Sequence, residues 1–456
     1  MNWIMYTLKL LMIDKLESYI LSHCKKTTDF RVGAEFEYHS LNKDFQPISF
    51  HGSGGASELL KSFLETSEWE LKIDLDNAPL AVSHEKGYIT LEPGCQIEFS
   101  GAPRTTIFEL KEDLEFFIRS LKGLTAKTGH LFFAMGVNPL HPAETIPLLP
   151  KPRYKIMNQL FQRSGKLGHW MMRATSSQQV CLDFSSENDL MRKLYLGFLL
   201  TPFVRALFSN SPFKNGEKGE MLCFRNEIWR DTDPDRCGIP KSIFSKGATL
   251  HDYCEYVLSS PAMFQTSQGG QISSANGLSF LELYSAKERE KWNAKVEEDR
   301  FLDHLSQSFI EARIKGYIEF RTPDGQIPRF HYSPIAFYKG IFNSSKAVQE
   351  AYELLGIYPE DEIQSLLQKV SAGALRTPIR SYLVLDVVKE LLKIADRGLK
   401  GESVDGPSEE CFLEPLSEIV FENEYSPADF LLRMYERDCD SNLKKLIKAI
   451  EIEALL

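Results

Sequence analysis

Three stretches of the chain alternate apolar and polar positions as a half-buried strand does. They are Arg31–Tyr38, Gly87–Pro103 and Gly316–Arg321. Aliphatic or aromatic residues fill the apolar positions, and acidic residues occur at the positions between them. Pro93-Gly94 interrupts the middle stretch and predicts a tight bend. The charged residues of the polar faces are Glu35, Glu37, Glu92, Glu98, Glu319 and Arg321.

Each stretch is predicted to carry its carboxylates on one face, because side chains two residues apart on a strand point the same way. The simpler alternative is three ordinary amphipathic strands whose charges face water. If the strands are neighbours in one sheet, up to five carboxylates converge, and on a partly buried face they repel each other unless a cation intervenes. Such oxygen ligands suit Mg²⁺ or Mn²⁺, and Mg²⁺ held by carboxylates usually also holds nucleotide phosphates.

The rest of the pattern predicts helices around a sheet, and then helices alone. Residues 12–25, 106–122, 151–162 and 187–208 have helical spacing, whereas 69–76, 131–137 and 176–184 are predicted strands. Beyond residue 335 we predict helices at 346–355, 360–371, 381–397, 426–437 and 441–455, with Gly398 as a C-cap. This division predicts a core of residues 1–335 and a C-terminal helical segment of residues 336–456.

Residues 217–238 are predicted to be irregular and are rich in charge. They include Arg225, Trp229 and Arg236. Long irregular segments often carry function. A solvated charged loop is the alternative, although Trp229 has little reason to face water.

Composition narrows the class of protein. The 456 residues are 43% apolar and 25% charged, which is ordinary for a globular protein, and the net charge of −10 argues against a general nucleic-acid binder. The eight cysteines include no Cys-x-x-Cys pair, so we expect free thiols in a reducing cytosol and no structural zinc site. Met1–Ile13 is interrupted by Lys9, so we expect neither a signal peptide nor a membrane span, and a cytoplasmic protein.

Several short motifs between residues 30 and 325 occur in an order that is specific as a set. They are Gly33-Ala34-Glu35, Asn77-Ala78-Pro79-Leu80-Ala81, Leu91-Glu92-Pro93-Gly94, Ser100-Gly101-Ala102-Pro103, Arg153-Tyr154-Lys155-Ile156-Met157, Gln179-Val180, Leu182-Asp183-Phe184-Ser185-Ser186-Glu187, Asn210-Ser211-Pro212-Phe213 and the stretch 228–236. Together they resemble the plant-type glutamate–cysteine ligase family, which belongs to the carboxylate–amine ligases related in fold to glutamine synthetase. The resemblance implies an α+β or α/β fold. A curved, mainly antiparallel sheet would form a half-open cradle with helices outside, followed by the C-terminal helical segment.

The family resemblance implies an ATP-dependent reaction in which the side-chain carboxylate of L-glutamate is phosphorylated and then attacked by the amine of L-cysteine. It implies Mg²⁺ or Mn²⁺ as the metal ion and these small molecules as substrates, and we expect a monomer or homodimer. By resemblance, the metal ligands are Glu35, Glu37, Glu98 and Glu319, and the catalytic residues are Arg321 and Glu92. ATP would contact Gln179, Arg153 and Lys155, and glutamate or cysteine would contact Arg225, Trp229 and Arg236.

The sequence departs from the family pattern at several positions. Cys181 replaces a usual asparagine, and Thr322-Pro323-Asp324-Gly325 replaces the usual Gly-Ala-Asp. Because the acidic set is intact, we expect ATP-driven activation with cysteine as the acceptor. The alternatives are a related ligase that uses another amine and a non-catalytic member that acts as a binding protein.

Overall fold

The computed structural model describes residues 3–66, 68–267, 270–284, 292–401 and 408–456. Its strands vary in length from two to ten residues. Their bounds are β1 Val32–Leu41, β2 Glu70–Leu75, β3 Ala78–His84, β4 Gly87–Leu91, β5 Ile97–Gly101, β6 Leu131–Phe133, β7 Gln178–Leu182, β8 Phe213–Lys214, β9 Glu217–Lys218, β10 Cys237–Gly238, β11 Phe264–Thr266, β12 Ile272–Ser274, β13 Phe309–Ile310, β14 Ala312–Ile314, β15 Ile318–Phe320, β16 Pro378–Ile379 and β17 Tyr382–Leu383.

The central feature is an antiparallel sheet of nine strands. Eight of them follow the order β14-β15-β7-β1-β5-β4-β3-β2, and β6 pairs with the end of β1. The path has two ends, so the described part of the sheet is open. Because β1 lies between β5 and β7, and β15 pairs with β7, the three acidic stretches are close in space.

The α-helices surround this sheet and dominate the second half of the chain. Their bounds are α1 Trp3–Leu21, α2 Ala56–Leu64, α3 Ile107–Thr128, α4 Pro152–Ser164, α5 Gly168–Ala174, α6 Glu187–Leu207, α7 Phe224–Arg230, α8 Leu250–Ser259, α9 Phe280–Leu283, α10 Ala294–Leu305, α11 Ser333–Phe342, α12 Ser345–Leu355, α13 Glu360–Gly373, α14 Val384–Lys400, α15 Glu414–Glu422, α16 Pro427–Arg437 and α17 Leu443–Ala449. The predicted mixed fold, with a mainly antiparallel sheet and helices outside, is confirmed.

One face of the sheet is apolar and packs against helices. The ring of Phe99 in β5 stacks on Phe117 of α3 at 4.9 Å, and Phe320 in β15 stacks on Tyr338 of α11 at 4.5 Å. All four of these aromatic side chains are buried. Packing against α3 and α11 therefore turns the acidic residues of the same strands toward the opposite face.

Local signals fixed several element boundaries correctly. Thr106 and Glu109 form the predicted capping box at the start of α3. The chain turns at Pro93-Gly94 between β4 and β5, where the backbone of Gly94 lies so close to Arg173 that a Cβ atom would be 2.2 Å from its carbonyl oxygen. A side chain at position 94 would prevent this approach.

Other predictions about local structure are wrong. Residues 217–238 are not wholly irregular, since they contain α7, and the predicted strand 131–137 ends at residue 133. Gly398 is not a C-cap, because it lies inside α14, where a Cβ atom would be 1.8 Å from the carbonyl oxygen of Gly340. The residue is glycine because two helices, α11 and α14, cross at this point.

The hydrophobic core draws on both of the predicted parts of the chain, from Met12 to Ile452. The division into residues 1–335 and 336–456 stays a prediction. Among the described residues, no helix is both long enough and apolar enough to cross a membrane.

Candidate active site

The polar face of the sheet brings together the acidic residues of three strands, β1, β5 and β15, with β7 between β1 and β15. In the register of β1 with β5, Glu37 lies opposite Glu98. In the register of β1 with β7, Glu35 lies opposite Gln179. Glu319 in β15 lies opposite Cys181 in β7. The strands that carry the carboxylates therefore lie close together in one sheet, as a carboxylate cluster requires.

Four acidic side chains of this face make no direct ion pair, although cationic side chains further away act on Glu35, Glu37 and Glu92. No described lysine, arginine or histidine forms an ion pair within 4.0 Å with the carboxylates of Glu35, Glu37, Glu92 or Glu98. Burial, together with the neighbouring Glu92 and Glu37, raises the pKa of Glu98 to about 8. Burial also raises the pKa of Glu35 to about 7, with Glu98 and Glu319 adding repulsion. This part of the face would be stabilised by a cation.

Glu319 is in a different electrostatic environment. It is fully buried, which disfavours its charge, but the cations around it hold its pKa well below the usual range. Its Oε2 accepts hydrogen bonds from Arg313 Nε at 2.7 Å and Arg321 Nη1 at 3.1 Å, while Lys315 Nζ donates to Oε1 at 2.9 Å. Glu319 is thus an anchor for three cationic side chains as well as a predicted metal ligand.

A short hydrogen-bonded chain links Glu37 to this anchor. Gln179 Nε2 donates to Glu37 Oε1 at 3.1 Å, and Gln179 Oε1 accepts from Arg321 Nη1 at 2.5 Å. The backbone N–H and the hydroxyl of Ser177 donate to the two oxygens of Glu37 at 2.7 and 2.8 Å. These contacts fix the orientation of Glu37 on β1 and of Arg321 beside β15, with Gln179 on the intervening strand β7.

A cleft with an open space of about 550 Å³ lies over one end of the cluster. Helices α4, α5 and α7 supply seven of its fifteen lining residues. Its lining includes charged side chains, aromatic rings and three methionines: Glu37, Glu92, Arg153, Tyr154, Met157, Met171, Met172, Arg225, Trp229, Phe309 and Arg321. The cleft therefore joins carboxylates and guanidinium groups to an apolar wall.

Several buried polar atoms in the cleft have no protein partner. These are Arg225 Nε, Trp229 Nε1 and Arg153 Nε. A buried donor without a partner is costly, so each is a candidate contact for a bound anion or carbonyl. Arg225 is otherwise fixed, since it donates to the carbonyl oxygens of Thr322 at 3.1 Å and Arg321 at 3.3 Å and lies 3.6 Å from Asp324.

Three of the predicted binding residues do not line this cleft. Gln179 is the middle member of the hydrogen-bonded chain between Glu37 and Arg321. The side chain of Lys155 is exposed on α4. Arg236 pairs with Asp233 at 2.6 Å and donates to the carbonyl oxygen of Pro261, also at 2.6 Å. In this structure, both contacts of Arg236 are internal to the protein.

The sequence analysis missed three residues that shape the cluster. Ser177 precedes Gln179 at the spacing that places both on one face of β7. Arg313 and Lys315 alternate with apolar residues before the turn that leads into β15, and Arg313 lies directly opposite Glu319. The alternation of polar residues across a short hairpin was the signal that could have revealed them.

The donor set fits a divalent cation, with one unexpected member. One ligand atom each from Glu35, Cys181 and Glu319 lie within 4.8 Å of one another. The carboxylates are hard oxygen donors of the kind that Mg²⁺ and Mn²⁺ prefer, whereas a thiol is a soft donor. The cluster therefore combines oxygen ligands with a sulfur atom.

The open antiparallel sheet with helices outside has a counterpart among solved structures. The fold resembles that of the glutamate–cysteine ligase of Francisella tularensis in complex with AMP, with a TM-score of 0.54. That match covers 93% of this chain and 88% of the bacterial chain, at 14% identity. The model of glutamate–cysteine ligase family 2 matches residues 31–448, and the chain belongs to this family.

Plant relatives support the same assignment. The chain is 33% identical over 423 residues to the chloroplastic glutamate–cysteine ligase of Brassica juncea, covering 92% of this chain and 80% of the relative. It is 32% identical over 423 residues to the chloroplastic glutamate–cysteine ligase of Arabidopsis thaliana. That match covers 92% of this chain and 79% of the relative. The family suggested by the sequence motifs is confirmed.

The expectation of a cytoplasmic location is wrong by this comparison, because these relatives are chloroplastic by name. The expectation rested on the cysteine pattern and on the apolar N-terminal stretch interrupted by Lys9. All eight cysteines are free thiols in the structure, as expected. Free thiols indicate a reducing compartment but do not say which one.

Proposed function

We propose that the protein joins L-glutamate, through its side-chain carboxylate, to L-cysteine in an ATP-dependent reaction that yields γ-glutamylcysteine, ADP and phosphate. Membership of glutamate–cysteine ligase family 2 over residues 31–448 is the observation that carries this conclusion. The names of the plant relatives and of the bacterial structural neighbour support it. The reaction activates an unreactive carboxylate as an acyl phosphate, which an amine can then attack.

The carboxylate cluster is the proposed site of Mg²⁺ or Mn²⁺. Glu35, Glu37, Glu98 and Glu319 would hold the ion or ions, because they are oxygen donors on one face of the sheet and three of them lack an ion-pair partner. When bound, the ion supplies positive charge that offsets the charge of the ATP phosphates. Glu319 would contact the ion in addition to the three cationic side chains that already bind its carboxylate.

Arg321 is the proposed catalytic cation of the protein itself. Gln179 and Glu319 hold its guanidinium in place, so little of its side-chain entropy remains to be lost during the reaction. It lies on the lining of the cleft, where a phosphoryl group moving from ATP to glutamate would develop charge. Arg153 lines the same cleft and is the better placed of the two basic residues proposed from α4 to contact ATP phosphates.

Arg225 and Trp229 are the proposed clamp for the α-carboxylate of glutamate. Both line the cleft and both have a buried N–H without a protein partner, which a ligand carboxylate would satisfy. The guanidinium of Arg225 lies 5.7 Å from the centre of the Trp229 ring. Arg236 makes two contacts within the protein, so its proposed role in substrate binding has less structural support.

The acceptor amine is proposed to bind between Glu92 and the methionines of the cleft. Glu92 offers a carboxylate to an incoming ammonium group, whereas Met157, Met171 and Met172 offer a polarisable, apolar surface. This surface favours a small apolar or sulfur-containing side chain and disfavours a charged one. Cysteine meets these requirements.

An acceptor panel tests the proposal. Purified protein is mixed with ATP, Mg²⁺ and glutamate, and ADP release is measured with cysteine, serine, alanine, glycine or lysine as the amine. We expect the fastest ADP release with cysteine and little with lysine. Equal release with every amine would reject cysteine as the specific acceptor, and no turnover with any pair of amino acids would favour a non-catalytic binding protein.

A further inference from the structure

A thiol lies beside two of the proposed metal ligands, Glu35 and Glu319. Cys181 is on β7, with Gly33 opposite it on one side and Glu319 on the other. Its sulfur and one oxygen each of Glu35 and Glu319 all lie within 4.8 Å of one another. Among the described residues, this is the only group of three histidine, cysteine or acidic side chains with such spacing.

The thiol is also accessible from the polar face. Cys181 is only partly buried. Gly33 contributes no side chain on its flank, and a Cβ atom at that position would lie 3.3 Å from Cys181 Cβ. Lys315, which follows β14 and contacts Glu319, has about a fifth of its side chain exposed. A small cation can therefore reach the sulfur from the solvent side.

We propose that Cys181 is a sulfur ligand in this site, so that the protein binds thiophilic divalent cations such as Zn²⁺ and Cd²⁺ there and these compete with Mg²⁺. The inference concerns the same cation site as the proposed function. It adds a property that the carboxylates alone would not give, because Mg²⁺ gains little from sulfur whereas Zn²⁺ and Cd²⁺ bind thiolate strongly.

The binding step can be written from the residues present. The cation forms bonds to Cys181 Sγ and to oxygens of Glu35 and Glu319, and the proton of the thiol passes to the solvent. Lys315 Nζ, which is 2.9 Å from Glu319 Oε1, gives up that contact and turns toward water. The charge of the divalent ion replaces the charge of the ammonium group beside Glu319, so the carboxylate stays compensated.

Direct metal binding tests the proposal without any substrate. Cd²⁺ is titrated into the full-length protein, and the ultraviolet thiolate-to-metal charge-transfer band is recorded. Cys181→Ser retains the size of the side chain but removes the soft donor. Cys411→Ser is the matched control, because it removes an exposed thiol outside the cluster.

We expect the band in the native protein and in Cys411→Ser, and its loss in Cys181→Ser. Removing even an outer partner of a metal ligand typically weakens metal binding by about 10–100-fold, so loss of a direct ligand should weaken Cd²⁺ binding by at least about tenfold. Cys181→Ala should give the same result. A band that persists unchanged in Cys181→Ser and Cys181→Ala would overturn the proposal.

Inhibition measurements separate this inference from the proposed function. If the protein turns over ATP with glutamate and cysteine in Mg²⁺, but Cd²⁺ gives no Cys181-dependent band, the inference fails and the ligase assignment stands. If the band depends on Cys181 but no amine supports turnover, the ligase assignment fails and the metal site stands. If both hold, Cd²⁺ should inhibit Cys411→Ser as strongly as the native protein.

Discussion

Replacing Glu98 by glutamine tests whether Glu98 lacks a compensating positive charge. Glutamine has the same shape and keeps the oxygen that accepts hydrogen bonds from Thr90 at 2.9 Å and Ser100 at 3.0 Å. The substitution therefore removes a charge and changes little else. We expect it to stabilise the metal-free protein at high pH while lowering Mg²⁺-dependent turnover.

The sign and size of the effect follow from the pKa of Glu98. The carboxyl group of Glu98 has a pKa of about 8 in the folded protein, whereas the ordinary pKa of a glutamate is 4.5. Between these two pH values the folded state therefore binds more protons than the unfolded state. Raising the pH through this range therefore lowers the free energy of unfolding. One pKa unit corresponds to about 1.4 kcal/mol. Because the electrostatic repulsion is shared with Glu92 and Glu37, we expect the variant to gain about 1–3 kcal/mol in free energy of unfolding at high pH.

Urea unfolding in a chelator at about pH 5 and about pH 9 measures this gain. Glu98→Gln should match the native protein near pH 5 and be more stable near pH 9. Glu70→Gln, on the exposed edge strand β2, is the control and should change stability equally little at both values. A Glu98→Gln variant that is no more stable than the native protein near pH 9 would refute the reasoning.

Three further substitutions test other parts of the site and the fold. Arg225→Lys keeps the charge but loses the planar fork, so the KM for glutamate should rise by about tenfold or more, and an unchanged KM would remove Arg225 from the clamp. Arg236→Lys should leave that KM nearly unchanged and lower the melting temperature, because its contacts are to Asp233 and Pro261; a large rise in KM with normal stability would contradict this. Gly398→Ala should lower the free energy of unfolding by about 1–3 kcal/mol, because its Cβ atom would clash with Gly340. Gly401→Ala is the control and should have little effect, since its Cβ atom would lie 3.5 Å from the nearest neighbouring atom. Equal effects of the two substitutions in urea unfolding would argue against the close helix crossing.

The sequence predicted the acidic face because the period of a strand is short and regular. Glu35 and Glu37 had to share a face once β1 was recognised, and the same holds for Glu319 and Arg321 in and beside β15. The order of the family motifs then made the adjacency of these strands an expectation. Alternation within one strand cannot reveal which strand is its neighbour, and the structure supplied that information.

Other features depend on contacts between residues far apart in the chain. Gly398 has the local signature of a helix end, but its role comes from Gly340 in another helix. The contact of Arg236 with the carbonyl oxygen of Pro261 could not be read from the sequence either. The pairing of Arg313 and Lys315 with Glu319 is local, and the alternation across the short hairpin could have predicted it. Charged residues were therefore easy to place on a face and hard to assign to a partner.

The central claim is that carboxylates from separate strands of one sheet hold a divalent cation together. Titration of the full-length protein with Mn²⁺, with the free ion measured by electron paramagnetic resonance, tests this claim most directly. We predict that the native protein takes up Mn²⁺ and that the double variant Glu35→Gln with Glu98→Gln, correctly folded by circular dichroism, does not. Uptake of Mn²⁺ by the double variant with unchanged affinity would contradict the account.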